Sequence, residues 1–160
     1  MRICLIIPPS PFLLDERVFV QLGILKIASA LEEKNYTVDM IDLSGVENYT
    51  DVLTDYAKRK DRADVFGVTA TTPQVPYAVK ISQHLKTLLP GKQSKVILGG
   101  PHVTLMHTAA KREAKKNLVG SDRATKDIEA LKNFFDVLVC GDGEIAIFDA
   151  IHEDIKIIDA

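Results

Sequence analysis

The chain has 160 residues and a formal net charge of −2, with 20 Lys plus Arg against 22 Asp plus Glu. This balance excludes a strongly basic surface, so we expect no nucleic-acid partner. Hydrophobic residues make up 46% and charged residues 26%, as in ordinary globular proteins, and the length suits one domain over residues 1–160. The first apolar run, Ile3 to Ile7, is too short for a signal peptide or a membrane span, so we expect a cytoplasmic protein without a membrane partner.

Apolar runs alternate with amphipathic stretches along the chain. We predict buried strands over residues 3–7, 36–43, 64–70, 95–100 and 135–140. Helical spacing of apolar residues predicts helices over 22–34, 75–89 and 143–151, with weaker helical patterns over 52–56 and 126–132. The long connection from Thr104 to Phe135 carries a lysine- and arginine-rich stretch that is typical of a solvated helix face, and a break at Gly120-Ser121.

Apolar strands that alternate with helices are typical of a parallel sheet covered on both faces. We therefore predict an α/β fold, a Rossmann-like (flavodoxin-like) three-layer sandwich with a five-stranded parallel sheet in the order 2-1-3-4-5. Ligands of such sheets bind beyond the carboxyl ends of the strands. The two cysteines, Cys4 and Cys140, each fall inside a predicted strand, which favours core packing over a disulfide or a metal site.

The loops predicted at the carboxyl edge share small residues, hydroxyl groups and prolines. They read "PPSPFLLDERVF", "TATTPQ", "GGPHVT" and "GDGE", whereas loops at the other edge, such as "PGKQS", are plainly polar. Glycine pairs at strand ends mark tight turns or a close approach of backbone to a ligand, so Gly99-Gly100 is the sharpest signal in this set. The asymmetry favours a single site at this edge.

Several nucleotide and phosphate sites are disfavoured by what these loops lack. No G-x-G-x-x-G motif or Walker lysine follows the first strand. Pro8-Pro9 and Thr69-Ala70 stand where a response-regulator receiver needs acidic residues. The serine in "PPSPF" lies among prolines without N–H donors, which is a poor phosphate loop for a flavodoxin.

Several segments resemble the N-terminal cobalamin-binding domain of cobalamin-dependent radical SAM enzymes. They are "PP" after the first strand, "LGILKIASALEEKNYTVDMIDL", and then the motifs "GVTATTPQ", "VILGGPHVT" and "VCGDGE". The resemblance spans nearly the whole chain. In the wider cobalamin-binding family, a hydroxyl residue and a double glycine line the cleft for the dimethylbenzimidazole tail. The resemblance therefore implies this role for Thr69, Thr71, Gly99 and Gly100. A side chain at either glycine would then occupy the space of the flat base.

The first part of the family's D-x-H-x-x-G signature departs from the pattern. Gly23 stands in place of the motif glycine, but Val18 and Val20 replace the aspartate and the histidine. The radical SAM branch commonly lacks this histidine, so the resemblance implies base-off cobalamin without a histidine ligand. An apolar lower face, with Phe12, Leu13 or Val20, would suit a cobalt that shuttles a methyl group.

Further residues in the four loops are candidates for cofactor binding. His102 either hydrogen-bonds a corrin amide or the tail phosphate, or it bonds a neighbouring backbone carbonyl. Gln74, Asp142 and Glu144 either bind corrin amides or cap the helices that follow them. The other candidates are Pro9, Thr72, Pro73, Pro101, Gly141 and Gly143. Of these, Pro73 and Pro101 are expected only to fix the direction of their loops.

The chain has no C-x-x-x-C-x-x-C motif to hold a 4Fe-4S cluster. We therefore expect an isolated or truncated cofactor module that catalyses nothing alone and has no catalytic residue. A radical SAM catalytic domain, in cis or in trans, would bring the cluster and S-adenosylmethionine for a methyltransferase or radical reaction. The alternatives are a degenerate docking or scaffold module without cofactor, and a small flavodoxin-like enzyme that acts on a phosphorylated metabolite through the Asp142 and Glu144 loop.

Overall fold

A six-stranded, all-parallel sheet forms the centre of the protein. The computed structural model describes residues 1–116 and 122–160. The strands are β1 (Arg2–Ile7), β2 (Thr37–Asp42), β3 (Val65–Thr69), β4 (Lys95–Gly99), β5 (Val137–Cys140) and β6 (Ile157–Asp159), and they lie in the order β2-β1-β3-β4-β5-β6. The predicted α/β fold and the order of the first five strands are confirmed.

The count of five strands is wrong, because β6 adds an edge strand. It is only three residues long and pairs parallel to β5, with Ile158 opposite Val139. A three-residue segment is too short for strand periodicity to stand out in a sequence. Its backbone nevertheless extends the ladder, and Ala160 donates its N–H to the carbonyl of Cys140 at 3.0 Å.

Helices cover both faces of the sheet. They are α1 (Leu22–Glu33), α2 (Tyr49–Ala57), α3 (Val75–Leu88), α4 (Pro101–Lys116), α5 (Arg123–Leu131) and α6 (Gly143–His152). One core layer joins α1 and α6 to the sheet, and the other joins α2, α3, α4 and α5 to the opposite face. The predicted three-layer sandwich is therefore confirmed.

The alternation of side chains along each strand divides the core into these two layers. On β1, Ile3, Leu5 and Ile7 face α1 and α6, whereas Cys4 and Ile6 face the opposite helices. Both faces are apolar because both are buried, which explains why β1 reads as a continuous apolar run. Every strand of this sheet brings its carboxyl end to the same edge.

The long connection after β4 contains two helices, as its lysine- and arginine-rich stretch and the pattern over 126–132 predict. Pro101 opens α4 directly after the glycine pair, at a position where its missing N–H is not needed. Glu113 of α4 accepts hydrogen bonds from the N–H groups of Ala124 and Thr125, which lowers its pKa and fixes the start of α5. The predicted break at Gly120-Ser121 lies outside the described residues. Within residues 1–116 and 122–160, no helix is both long enough and apolar enough to cross a membrane.

Candidate functional site

A groove of about 230 Å³ opens at the carboxyl edge of the sheet, between the sheet and the layer formed by α1 and α6. Its lining residues come from β1, β3, β4, β5 and the first turns of α1, α4 and α6. This is the edge at which the sequence predicts a site. The groove is smaller than most pockets that enclose a drug-sized ligand, so its size suits one end of a larger molecule.

Two glycines on neighbouring strands lie in the floor of the groove. Thr69 of β3 lies opposite Gly99 of β4, and Gly67 lies opposite Ile97 two residues further from the edge. Since side chains alternate along a strand, these residues all face α1 and α6. A Cβ on Gly99 would make only ordinary contacts, the nearest being 3.8 Å from the Val139 carbonyl oxygen. The glycine therefore leaves open space above the sheet.

Gly67 lines the deeper part of the groove, where the side chain of Leu5 partly covers it. A Cβ at this position would lie 2.8 Å from Cδ2 of Leu5, which leans over the glycine from β1. The neighbouring side chain would have to move, and the groove would narrow. Glycine inside a strand often marks such a close approach.

Isoleucines from α1 and α6 form the facing wall. Ile24 and Ile147 are buried, and Ile27 is half-buried beside them. The two helices approach closely at their ends, because a Cβ on Gly143 would lie 2.8 Å from Cδ1 of Ile27. The wall is thus apolar and closely packed, whereas polar side chains of the groove lie near its open edge.

Gly100 is constrained by the protein backbone. Its φ is +99°, and a Cβ would lie 2.6 Å from Oγ1 of Thr69 and 2.8 Å from the backbone nitrogen of Ala70. Ala70 also donates to the carbonyl of Gly99 and accepts from the N–H of His102, both at 3.1 Å. Close packing of the ends of β3 and β4 therefore requires this glycine, whereas Gly99 faces open space.

The structure places half of the predicted site residues in the groove lining. Those that line it are Gly23, Thr69, Gly99, Gly100, Pro101, Gly141, Gly143 and Glu144. Those that do not line it are Pro9, Val20, Thr71, Thr72, Pro73, Gln74, His102 and Asp142. Asp142 precedes α6 without a side-chain cap hydrogen bond, so of its two predicted roles the capping role is wrong.

Gln74 joins two loops of the carboxyl edge instead of facing the groove. It is 2% exposed, and its Nε2 donates to the Pro8 carbonyl at 3.1 Å and to Oγ of Ser10 at 2.8 Å. Its Oε1 accepts from the N–H and the hydroxyl of Thr71, both at 3.0 Å. All of its hydrogen-bonding capacity therefore connects the loop after β1 to the loop after β3.

His102 is buried on the opposite side of the glycine pair. It is 5% exposed, with Nδ1 3.0 Å from Oγ1 of Thr72 and Nε2 2.8 Å from Oδ2 of Asp127. The predicted bond to a backbone carbonyl is wrong, because a hydroxyl and a carboxylate take both ring nitrogens. His102 thus ties α4 to α5 and to the turn after β3.

The loop after β1, residues 8–21, is held by hydrogen bonds to Gln74, from Arg17 to the Ser44 carbonyl and through Glu16, and it presents many apolar side chains to solvent. Oε2 of Glu16 accepts from the N–H of Ser10 at 2.6 Å and from the N–H of Gly45 at 2.8 Å. Val20, expected beside the cofactor, is 70% exposed. Exposed apolar side chains of this loop and of nearby helix starts are Phe12, Leu13, Leu14, Val18, Phe19, Leu22, Leu25 and Ile145.

Both cysteines pack in the core, as predicted. Burial raises the pKa of Cys4 to about 12 and that of Cys140 to about 11. They face the layer opposite the groove, where Cys140 lies 4.0 Å from the Val103 carbonyl oxygen. Neither thiol takes part in the site.

The apolar residues of the groove are the part of the site that sequence reasoning missed. Gly67 stands inside the motif "GVTATTPQ", and a glycine within a strand pattern was an available signal. Leu5, Ile24, Ile27, Ile97, Val139 and Ile147 gave no separate signal, because groove-facing and core-facing apolar residues share the same periodicity.

The chemistry of the lining favours binding over reaction. The polar side chains that line the groove are Gln21, Thr69 and Glu144, and Glu144 lies 4.0 Å from Nζ of Lys26. These side chains include no nucleophile paired with a base. A narrow apolar slot with a hydroxyl at its rim suits a flat, largely apolar group that enters from the carboxyl edge.

Comparisons with known proteins identify a family for the chain. Residues 16–120 match the family described as the B12 binding domain. A crystal structure of a novel cobalamin-binding protein from Desulfitobacterium hafniense DCB-2 is similar with a TM-score of 0.45 at 17% identity, covering 62% of this chain and 44% of that protein. The chain therefore spans less than half of that protein's length. No curated protein sequence matches the chain.

Proposed function

The chain belongs to the B12-binding domain family, whose cofactor is cobalamin, and on that premise we propose that its groove holds the nucleotide tail of the cofactor. The flat lower base would lie over Gly67 and Gly99, between the sheet and the isoleucines of α1 and α6. Thr69 would offer its hydroxyl to a ring nitrogen of the base at the rim.

The observation that carries this proposal is the open space that Gly99 leaves in the floor of the groove. A Cβ at Gly99 would stand in the volume that the base needs, a Cβ at Gly67 would displace Leu5 and narrow the groove, and the walls supply apolar contacts to the base. Burial of a flat ring against aliphatic side chains stabilises binding by roughly 25 cal/mol per Å² of apolar surface removed from water. The residues present therefore fit the tail of the cofactor.

The corrin ring would lie outside the groove, against the loop after β1. Val18 and Val20 replace the aspartate and histidine of the family signature, so we propose base-off binding without a histidine ligand. The loop's exposed apolar side chains would exclude water from the lower face of the corrin. When bound, cobalamin would supply a cobalt centre for methyl transfer or radical chemistry.

We further propose that a radical SAM catalytic domain, in cis or in trans, uses the cofactor. Both cysteines of this chain are buried in the core, so the three cysteines of a 4Fe-4S cluster would belong to that domain. The apolar rim around the groove is the surface that it would approach. In this arrangement the chain presents the cofactor and contributes no catalytic residue.

Corrin retention after desalting tests the tail site. The protein is mixed with hydroxocobalamin under reducing conditions, freed of unbound cofactor and examined by visible absorbance. We expect a retained base-off spectrum for the wild type and for Lys92→Leu, which adds a leucine at the opposite edge. Gly99→Leu should lose retention without unfolding, because its Cβ meets no close neighbour.

Equal retention by Gly99→Leu would contradict the tail site. A colourless wild-type protein that binds a radical SAM domain would favour a docking module without cofactor. Its exposed loop of apolar side chains would then be the docking surface.

A further inference from the structure

The deep part of the groove offers only carbon side chains to a bound group. Its floor is made by Leu5, Gly67 and Ile97, which lie side by side on three neighbouring strands. Ile24, Ile27 and Ile147 face them from the helices. The backbone groups of these strands are engaged in the parallel ladder, so they are not free to recognise a ligand.

Polar side chains of the groove lie near its open edge. Thr69 is the last residue of β3, Gln21 immediately precedes α1 and Glu144 lies in the first turn of α6. Within the described residues, no buried side-chain nitrogen or oxygen lacks a hydrogen-bond partner. Among the described residues, the side chains of the deep groove therefore offer no donor or acceptor to the far edge of a base.

The lower bases of natural cobamides differ in what that far edge carries. The six-membered ring of a benzimidazole consists of carbon alone, and its methyl groups are apolar. The corresponding ring of a purine carries two nitrogens and an exocyclic amino or oxo group. Each polar group buried without a partner reduces affinity about tenfold or more.

We propose that this groove selects cobamides by their lower base, accepting benzimidazoles and discriminating against purines. The selection rests on the proposed function, since it requires the tail to enter the groove. Ile97 lies in the deep floor, where the far edge of the base would reach, and Val139 lines the groove beside Gly99, where a threonine has nearly the same shape. A hydroxyl there, or at Ile97, would give a purine edge a partner.

The test measures dissociation constants of the full chain for cobalamin, adeninylcobamide and cobinamide, which has no tail. For each protein, the ratio of the adeninylcobamide constant to the cobalamin constant reports selectivity. The strength of the cobalt–base bond is a property of the ligand, so it cancels when the ratio of a variant is compared with that of the wild type. Val139→Thr and Ile97→Thr are the groove variants. Val65→Thr is the matched control, on the same face but outside the groove lining.

We expect at least one groove variant to have a ratio about fivefold or more below that of the wild type, whereas Val65→Thr leaves the ratio unchanged. An unchanged or larger ratio in both groove variants would overturn the selectivity. Equal affinity of the wild type for cobinamide and cobalamin would overturn the proposed tail site itself. The two failures are therefore distinguishable in one set of titrations.

Discussion

Gly67 and Gly99 lie diagonally across neighbouring strands on the same face of the sheet, with Thr69 directly opposite Gly99. They lie in the floor of the groove that faces α1 and α6 at the carboxyl edge, where Gly99 leaves open space and Leu5 partly covers Gly67. Gly100 follows Gly99 directly, but here a glycine is required by the close packing of the ends of β3 and β4. The glycine pair therefore combines one residue that leaves a groove open with one that holds two strand ends together.

Gly100→Ala should lower the free energy of unfolding by roughly 2–4 kcal/mol, because it adds a clash with Ala70 to the strain of a positive φ. Gly91→Ala is the matched control, since Gly91 has φ +69° but meets nothing within 4 Å. It should lower the free energy of unfolding by about 1 kcal/mol. Urea unfolding measures both, and equal losses would show that the contact with Ala70 is unimportant.

Gln74→Met should lower the free energy of unfolding by roughly 2–4 kcal/mol, because it leaves buried partners on two loops without hydrogen bonds. Ser10→Ala removes one of these partners and should lower it by about 1 kcal/mol. Chemical unfolding of both variants measures the difference. A loss in Gln74→Met no larger than in Ser10→Ala would contradict a bracing role for Gln74.

Glu16→Ala should release the loop after β1 without unfolding the core. The amide hydrogens of Ser10 and Gly45, both bonded to Oε2 of Glu16, should exchange about tenfold faster or more. Glu16→Gln should exchange nearly as slowly as the wild type, since one carbonyl oxygen can accept both bonds. Hydrogen exchange followed by NMR distinguishes these outcomes, and unchanged rates in Glu16→Ala would show that the loop is held by other contacts.

Asp127→Ala should lower the free energy of unfolding by about 1 kcal/mol, because it removes the hydrogen-bond partner of the buried His102. Asp127→Asn retains an oxygen acceptor and should remain close to the wild type. Corrin retention should be unchanged in both variants, since His102 lies outside the groove lining. Loss of retention at full stability would instead support the cofactor contact predicted for His102 from the sequence.

The two thiols should resist alkylating and disulfide reagents at pH 8 in the folded protein. Burial raises the pKa of Cys4 to about 12 and of Cys140 to about 11, so only about one thiol in ten thousand and one in a thousand, respectively, is ionised at pH 8. Unfolded thiols ionise near the ordinary value of 9.0. The free energy of unfolding that the two buried thiols contribute is therefore fully present below pH 9, and it falls as the pH rises above 9. Rapid labelling of the native protein at pH 8 would contradict this burial.

The order of β1 to β5 was predictable because apolar runs of strand length alternate with helical patterns, and right-handed crossovers then restrict the topology. The edge strand β6 was not predictable, because three residues are too few to show a strand periodicity. Of the candidate site, Thr69 and Gly99 were predictable, since strand ends in a parallel sheet meet at one edge and glycine marks close approach.

The capping-box contact of Gln74 with Thr71 was predictable from local sequence, whereas the long-range partners of Gln74 and His102 were not. Gln74 bonds Pro8 and Ser10, and His102 bonds Asp127, all of which are distant in the chain. Loop motifs indicate which residues share an edge of the sheet. They do not indicate whether a polar side chain turns towards a ligand or towards a neighbouring loop, which depends on tertiary packing.

The central claim is that the nucleotide tail of cobalamin enters the groove, and methyl NMR of isoleucine-labelled protein tests it most directly. On addition of cobalamin, the δ1-methyl signals of Ile24, Ile27, Ile97 and Ile147 should shift through the ring current of the base, while those of Ile81 and Ile128, in the opposite core layer, stay in place. Cobinamide, without the base, should leave the groove signals unchanged. Shifts confined to isoleucines outside the groove, or identical shifts with both ligands, would contradict the claim.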